Sequence, residues 1–282
     1  MADRIELAES PTVSVVIPAH NPGVLLTEAV ESAITQVPAP MEVLVVDDGS
    51  TDPLRVPDHP LVRVIRQPKA GPSAARNRGV LEARGELIAF LDADDVWYAG
   101  KLAAQLPLMR AGVGLCSCDF DLIYGNEHRP GWGGGARDYR ALLAGNGIGA
   151  SSVIVRRSIL VDVGGFDERL SHAEDWAAWL EIARRSSLAH CPEVLIGYRR
   201  HEDNSSDDYR SMFRGAARVL WRHRRSGGLR HLRRAGQIYG SLAFDAFRAS
   251  RKPSHLAWAT VLWPDYVARQ VVGRIREKSA RG

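Results

Sequence analysis

Three short apolar runs, each ending in a polar or acidic cluster, constrain this chain most. "TVSVVIP" runs into "AHN", "MEVLVV" into "DDGSTD", and "ELIAFL" into "DADD". Each run is continuously apolar rather than alternating, as in strands buried on both faces. Segments of helical character lie between them, at residues 21–36 and 71–85, and "VRVIRQ" at 62–67 reads as a further strand. Strand–helix–strand order with such strands predicts an α/β fold: a Rossmann-like, mostly parallel sheet flanked by helices. Ligands of such sheets bind beyond the carboxyl ends of the strands. Pro18 to Asn21, Asp47 with Asp48, and Asp92 to Asp95 all fall there. Three clusters far apart in sequence are therefore expected on one rim.

Beyond residue 112 the order changes. Strands are expected near 112–125, 149–157 and 193–201, a glycine-rich loop in 129–138, and a strong amphipathic helix over 173–186. From about residue 209 only helices are expected. The chain thus divides into an N-terminal tail (1–11), an α/β domain (12–208) and a basic helical C-terminal extension (209–282).

Composition bears on that division. With 282 residues, 45% apolar and 25% charged, a sizeable core is expected. The net charge of +4 conceals a split: residues 1–209 carry 20 Lys and Arg against 30 Asp and Glu, and residues 210–282 carry 17 against 3. In the extension Met212, Phe213, Val219, Leu220 and Trp221 interleave with Arg210, Arg214, Arg218 and Arg222. Such a helix suits an anionic membrane surface; it equally suits an appendage packed on the α/β domain. Nucleic acid is not an expected partner, because no recognised motif is present and the acidic front repels phosphates. Cys116, Cys118 and Cys191 are too few and odd in number for a disulfide framework and read as buried free thiols. No apolar signal core begins the sequence, and no apolar run has the length of a bilayer span. The expected location is the cytoplasm, with peripheral contact at the inner face of the cell membrane if the basic extension binds lipid.

The polar clusters suggest chemistry. Asp92, Asp94 and Asp95 repel one another unless something positive lies among them. Mg²⁺ and Mn²⁺ take oxygen ligands, commonly one or two carboxylates plus substrate phosphates; a helix cap or turn is the plain alternative. Asp47 or Asp48 suits a nucleobase or ribose, or a turn closed by Gly49. Arg76, Asn77 and Arg78 share one helical turn, and Arg donors suit a diphosphate. Glu174 and Asp175 open the 173–186 helix, where they either serve its dipole or supply a general base. His20 suits stacking on a base or a capping role, and His201 a phosphate, a metal or a structural contact.

Taken together, "VSVVIPAHN", "VLVVDDGSTD", "GPSAARNRG", "GELIAFLDADD", "VGGFDE", "AEDWAAWL" and "YRRH" resemble, in this order, the family 2 inverting glycosyltransferases, which have the A-type glycosyltransferase fold. The resemblance covers about residues 11–205. It implies nucleotide-sugar binding by Pro18, Ala19, His20, Asn21, Asp47, Asp48, Arg76, Asn77, Asp92, Ala93 and Asp94. It implies Mn²⁺ or Mg²⁺ near Asp94, Asp95 and His201, and Asp175 as catalytic base beside Glu174. The donor commonest in the family is a UDP-sugar, and the acceptor is a carbohydrate or lipid-linked hydroxyl in bacterial-type polysaccharide, lipopolysaccharide or glycolipid assembly. His20 departs from the tyrosine that the family often carries before the asparagine. Processive synthases of the family carry a Q-x-x-R-W type motif and transmembrane helices, and neither occurs here, so transfer of one sugar is expected. Two other classes stand beside this reading. A sugar-nucleotide nucleotidyltransferase needs a glycine-rich, Arg-bearing loop after the first strand, which "PAHNPG" does not supply. A nucleotide-sugar-binding protein without catalysis would not need Asp175 together with the acidic triplet.

Overall fold

A computed structural model gives the structure of residues 11–131, 138–200, 208–250, 253–264 and 267. The chain forms two compact units. The first comprises Met1–Leu142, Asn146–Glu168 and Asp175–Arg200; the second comprises Leu143–Gly145, Arg169–Glu174 and His201–Gly282. The second unit thus takes in two short segments that the sequence pattern assigns to the α/β domain.

In chain order the elements are β1 (Val13–Ala19), α1 (Leu25–Ile34), β2 (Glu42–Asp48), β3 (Val62–Gln67), α2 (Pro72–Glu82), β4 (Leu87–Phe90), β5 (Val96–Trp97) and α3 (Lys101–Gln105). There follow β6 (Val113–Tyr124), β7 (Glu127–Pro130), α4 (Tyr139–Ala144), β8 (Ile154–Arg156), α5 (Arg157–Asp162), α6 (Glu174–Ala183) and β9 (Ser187–Arg199). The second unit adds α7 (Tyr209–Arg222), α8 (Leu232–Ser250) and α9 (Pro253–Leu262).

Among the described residues one nine-stranded sheet runs β3-β2-β1-β4-β8-β6-β9-β5, with β7 paired to β6. β3, β2, β1 and β4 are mutually parallel, and β6 runs parallel to β9. β8 lies antiparallel to both β4 and β6, so it joins two blocks of strands that point the same way. β2 is buried along its whole length, the acidic Glu42, Asp47 and Asp48 at its ends included. α2 packs so closely on β1 that a Cβ at Gly79 would lie 2.3 Å from Val16 Cγ1. The helical run after β5 is only α3, followed by a 3₁₀ turn, Leu106–Leu108, at the proline. The three cysteines are buried free thiols, as expected.

In the second unit Asp208 caps α7 by accepting from Ser211 N at 3.1 Å. α7 buries Ala216, Val219 and Leu220 and exposes Arg214, Arg218, Trp221 and Arg222. Phe213 meets Tyr239 of α8 edge to face, with ring centroids 6.5 Å apart. Among the described residues no helix is long and apolar enough to cross a membrane.

Candidate active site

The expected rim is built around the N-terminal end of α2. Asp48, buried at the end of β2, accepts Gln67 Nε2 and Ala70 N at 2.8 Å on Oδ1, and Gly71 N at 2.7 Å on Oδ2. Gly71 precedes Pro72, the first residue of α2, so a carboxylate from β2 stands where a local cap is missing. Asp47 accepts Ser50 N at 2.8 Å and shapes the turn. His20 Nδ1 donates to the Asp48 carbonyl at 3.0 Å, which leaves Nε2 to accept from Lys69 Nζ at 2.8 Å. Asn21 Oδ1 accepts Thr51 N at 2.9 Å, and Asn21 N donates to Ser50 Oγ at 3.0 Å. The ends of β1 and β2 are therefore one hydrogen-bonded cluster, with Pro18 and Ala19 leading into it.

The third cluster joins through α2. Arg76 Nη2 lies 2.7 Å from Asp92 Oδ1, and Arg76 is buried. Asp92 and Asp94 are half-buried, and they alternate with the buried Ala93 and Asp95. Asp95 is turned inward. Its Oδ2 accepts the Ser151 hydroxyl at 2.5 Å and its Oδ1 accepts Arg199 N at 3.1 Å. Burial, and then the charges of Asp94 and Asp92, push its carboxyl well above the usual range. Both oxygens accept from protein donors. Arg199 also donates to the Asp94 carbonyl at 3.1 Å and contacts Glu28 of α1.

Asn77 is also held by hydrogen bonds. Its Oδ1 accepts Phe166 N at 2.8 Å, and its Nδ2 donates to Phe166 O at 2.9 Å and Glu168 Oε1 at 3.0 Å. Its amide clamps the "VGGFDE" turn. Phe166 packs edge-on against Phe90 and Trp179 at centroid distances of 5.2 and 5.6 Å, and Arg76 lies over its ring at 5.5 Å.

Asp175 lies in the first turn of α6, after Glu174. Its Oδ1 accepts Trp176 N at 2.6 Å, and its Oδ2 accepts Asn146 Nδ2 at 3.2 Å. Asn146 begins a segment that reaches the acidic triplet within six residues. Ile148 O accepts Trp179 Nε1 at 3.2 Å, and Ser151 Oγ meets both Asp95 and, at 3.0 Å, Asp92 N. Five residue steps span at most about 18 Å, so Asp175 and the 92–95 loop are fastened to one short strut. Residues 146–151 carry no chemical signature in the sequence; "GNG" and "GAS" signal only turns. His201 lies outside the described residues. Among the described residues no three His, Cys, Asp or Glu side chains form a group that could hold a metal by themselves. Asp94, with the half-buried Asp92, still fits the pattern in which a substrate diphosphate completes the shell.

Residues 14–160 match the sequence profile of Glycosyl transferase family 2. The chain belongs to that family. Family 2 members are nucleotide-sugar-dependent glycosyltransferases, and this chain is one of them. It is 28% identical, over 70% of its length and 80% of the relative's, to the Escherichia coli UDP-Glc:alpha-D-GlcNAc-diphosphoundecaprenol beta-1,3-glucosyltransferase WfgD. It is 25% identical, over 75% of its length and 73% of the relative's, to an uncharacterized Rickettsia typhi glycosyltransferase, RT0329. The fold is similar to that of S. aureus TarS 1-349 in complex with UDP-GlcNAc, with TM-score 0.63 and 18% identity over 90% of this chain and 80% of that one. GalNAc-T7 with UDP, GalNAc and Mn²⁺ is also similar, with TM-score 0.60 and 21% identity over 76% of this chain and 48% of that one. The A-type glycosyltransferase fold is thus present with its C-terminal helices, and the nucleotidyltransferase alternative gives way to the family assignment.

Proposed function

We propose that this glycosyltransferase moves a single sugar, with inversion, from a UDP-sugar to the hydroxyl of a carbohydrate or lipid-linked acceptor in bacterial-type envelope glycan assembly. The observation that carries the reading is the strut 146–151, which ties Asp175 to the loop bearing Asp92 and Asp94. In this reading Asp175 takes the proton of the acceptor hydroxyl. The freed oxygen then attacks the anomeric carbon as its bond to the diphosphate breaks. Asp48, through the remaining lone pair of Oδ2, and the backbone at Pro18, Ala19 and Asn21 receive the base, with His20 against its face. Arg76 holds Asp92 towards the ribose, with Ala93 between the two donor-side carboxylates. Asp94, with Asp92, would hold Mn²⁺ or Mg²⁺, and the metal supplies charge to the departing diphosphate. Asp95 and Asn77 act as positioning residues. His201 and Glu174 stand as supporting groups, at the metal and beside the base.

UDP as donor nucleotide and a lipid-linked acceptor draw support from the named activity of WfgD and the ligands of the TarS and GalNAc-T7 structures. Asp175→Asn should fold normally and lose transfer by roughly a hundredfold, the scale of a lost general base. Full turnover in that variant would remove Asp175 from the role. EDTA should abolish turnover until Mn²⁺ or Mg²⁺ is restored. Wild-type hydrolysis of the donor, absent from Asp175→Asn, would separate an enzyme from a mere binder.

One observation favours peripheral membrane attachment, on the inner face of the membrane. From Tyr209 to Phe244 the chain carries nine arginines and no acidic residue. Arg214, Arg218, Arg222, Arg224, Arg225 and Arg230 are exposed beside the exposed apolar Trp221 and Leu229. A surface of that kind suits anionic lipid. Co-sedimentation with phosphatidylglycerol vesicles but not phosphatidylcholine vesicles is expected, and equal recovery with both would discard the attachment.

A further inference from the structure

We propose that Asn146 is the residue that aims the catalytic base: its side-chain amide holds the Asp175 carboxylate in the orientation needed for proton abstraction. This rests on the reading of Asp175 as the base.

The amide has only one way to lie. Asn146 Oδ1 accepts Ile148 N at 3.1 Å, a side chain closing a turn on its own backbone two residues on. That bond fixes the oxygen, so the Nδ2 group faces Asp175 Oδ2 at 3.2 Å as a donor. The turn itself is hung on α6, the helix that carries Asp175. Trp176 Nε1 donates to Leu142 O at 2.8 Å and Trp179 Nε1 donates to Ile148 O at 3.2 Å, both indoles being buried. The two tryptophans therefore hold the 142–148 backbone beside the first two turns of α6, on either side of Asn146 in sequence. The base is gripped at both oxygens: Oδ1 by Trp176 N at 2.6 Å and Oδ2 by Asn146. A carboxylate offers about four lone-pair directions, so a donor on each oxygen fixes its plane. Asn146 is half-buried, close enough to solvent for the site yet screened enough for the bond to persist.

Two substitutions separate aiming the base from merely shaping the turn. Asn146→Asp keeps the oxygen that closes the turn on Ile148 and replaces the donor to Asp175 by a like charge. Asn146→Ala removes both. If Asn146 aims the base, Asn146→Asp loses kcat by at least about tenfold and no less than Asn146→Ala does, while the donor KM stays within about twofold of wild type. If Asn146 only shapes the turn, Asn146→Asp turns over like wild type and Asn146→Ala alone is impaired, and the proposal falls. Circular dichroism melts establish that each variant is folded. Should the added charge unfold the chain, Asn146→Ser decides the matter, because its hydroxyl can still close the turn on Ile148 N while the donor to Asp175 is lost: reduced kcat at unchanged donor KM upholds the proposal, and wild-type kcat overturns it. Asp175→Asn is measured alongside. An active Asp175→Asn overturns the base assignment and this inference with it; an inactive Asp175→Asn with a fully active Asn146→Asp overturns this inference alone.

Discussion

Ser151 places its hydroxyl 2.5 Å from Asp95 Oδ2, and the same hydroxyl oxygen accepts Asp92 N at 3.0 Å. One side chain thus holds the buried carboxylate of Asp95 and the backbone of the half-buried Asp92. Ser151→Ala strands a buried carboxyl oxygen and a backbone N–H together. We expect a stability loss of about 1–3 kcal/mol, the cost of unsatisfied buried polar groups, measured by urea denaturation. Weaker UDP binding by calorimetry should accompany it. A variant with unchanged midpoint and affinity would show that the contact does not organise the loop.

Arg76→Lys keeps the charge but loses the planar fork that reaches Asp92 while lying over Phe166. We expect roughly 2 kcal/mol of destabilisation, below the figure for a fully buried pair because the Asp92 side chain retains 28% exposure. UDP affinity should fall at least as far as in Ser151→Ala. Affinity equal to wild type would place Arg76 in packing alone.

Gly165 has φ +70°, and a Cβ there would lie 2.5 Å from Asn77 Oδ1. Gly165→Ala adds backbone strain and drives the Asn77 amide from its clamp on Phe166. The expected loss is about 1–3 kcal/mol, read as a shift in the urea midpoint. Because Phe166 packs on Trp179 of the helix carrying Asp175, kcat should fall with it; a fall in stability alone would uncouple the turn from catalysis.

Lys101 is wholly buried between Gln105 Oε1, at 2.7 Å, and the Trp97 ring, at 4.2 Å. Burial lowers its pKa to about 8 from an ordinary value of 10.5. Between those values the unfolded chain binds a proton that the folded chain has released, so raising the pH favours the folded state. Burial also raises Cys116 to about 11 and Cys118 to about 12, and these work in the opposite sense: above their ordinary value of 9.0 the folded chain holds protons that the unfolded chain has lost, and stability falls. Comparison with Lys101→Met isolates the lysine. Wild type should gain up to about 3 kcal/mol on that variant as pH rises from below 8 to 10.5. A pH-independent difference in urea stability would contradict the titration.

The strands that end at the site are legible in the sequence because unbroken apolar runs stop at polar residues, and β1, β2 and β4 do this without ambiguity. β9 is not. The apolar pattern starts it at residue 193, whereas it runs from Ser187 to Arg199, past Pro192. A proline breaks a ladder, and the pairing with β6 absorbs it through register shifts around Asp119. Asp95 and Asn77 lie in the expected loop and helix, but their partners Ser151 and Phe166 stand 56 and 89 residues away, and the turn that carries Asp95, with its N–H on Asp92 O at 3.1 Å, gives no strand-like alternation to read. Asn146 and Ser151 lie beyond reach because their partners stand 29 and 56 residues away, and no local pattern encodes such pairs.

The strut between Asn146 and Ser151 also sets a rule for natural variation in this lineage. Its length is the ruler between Asp175 and the 92–95 loop, and one residue more or less would move one against the other. Insertions and deletions should therefore be absent between Asn146 and Ser151 as acceptors diverge.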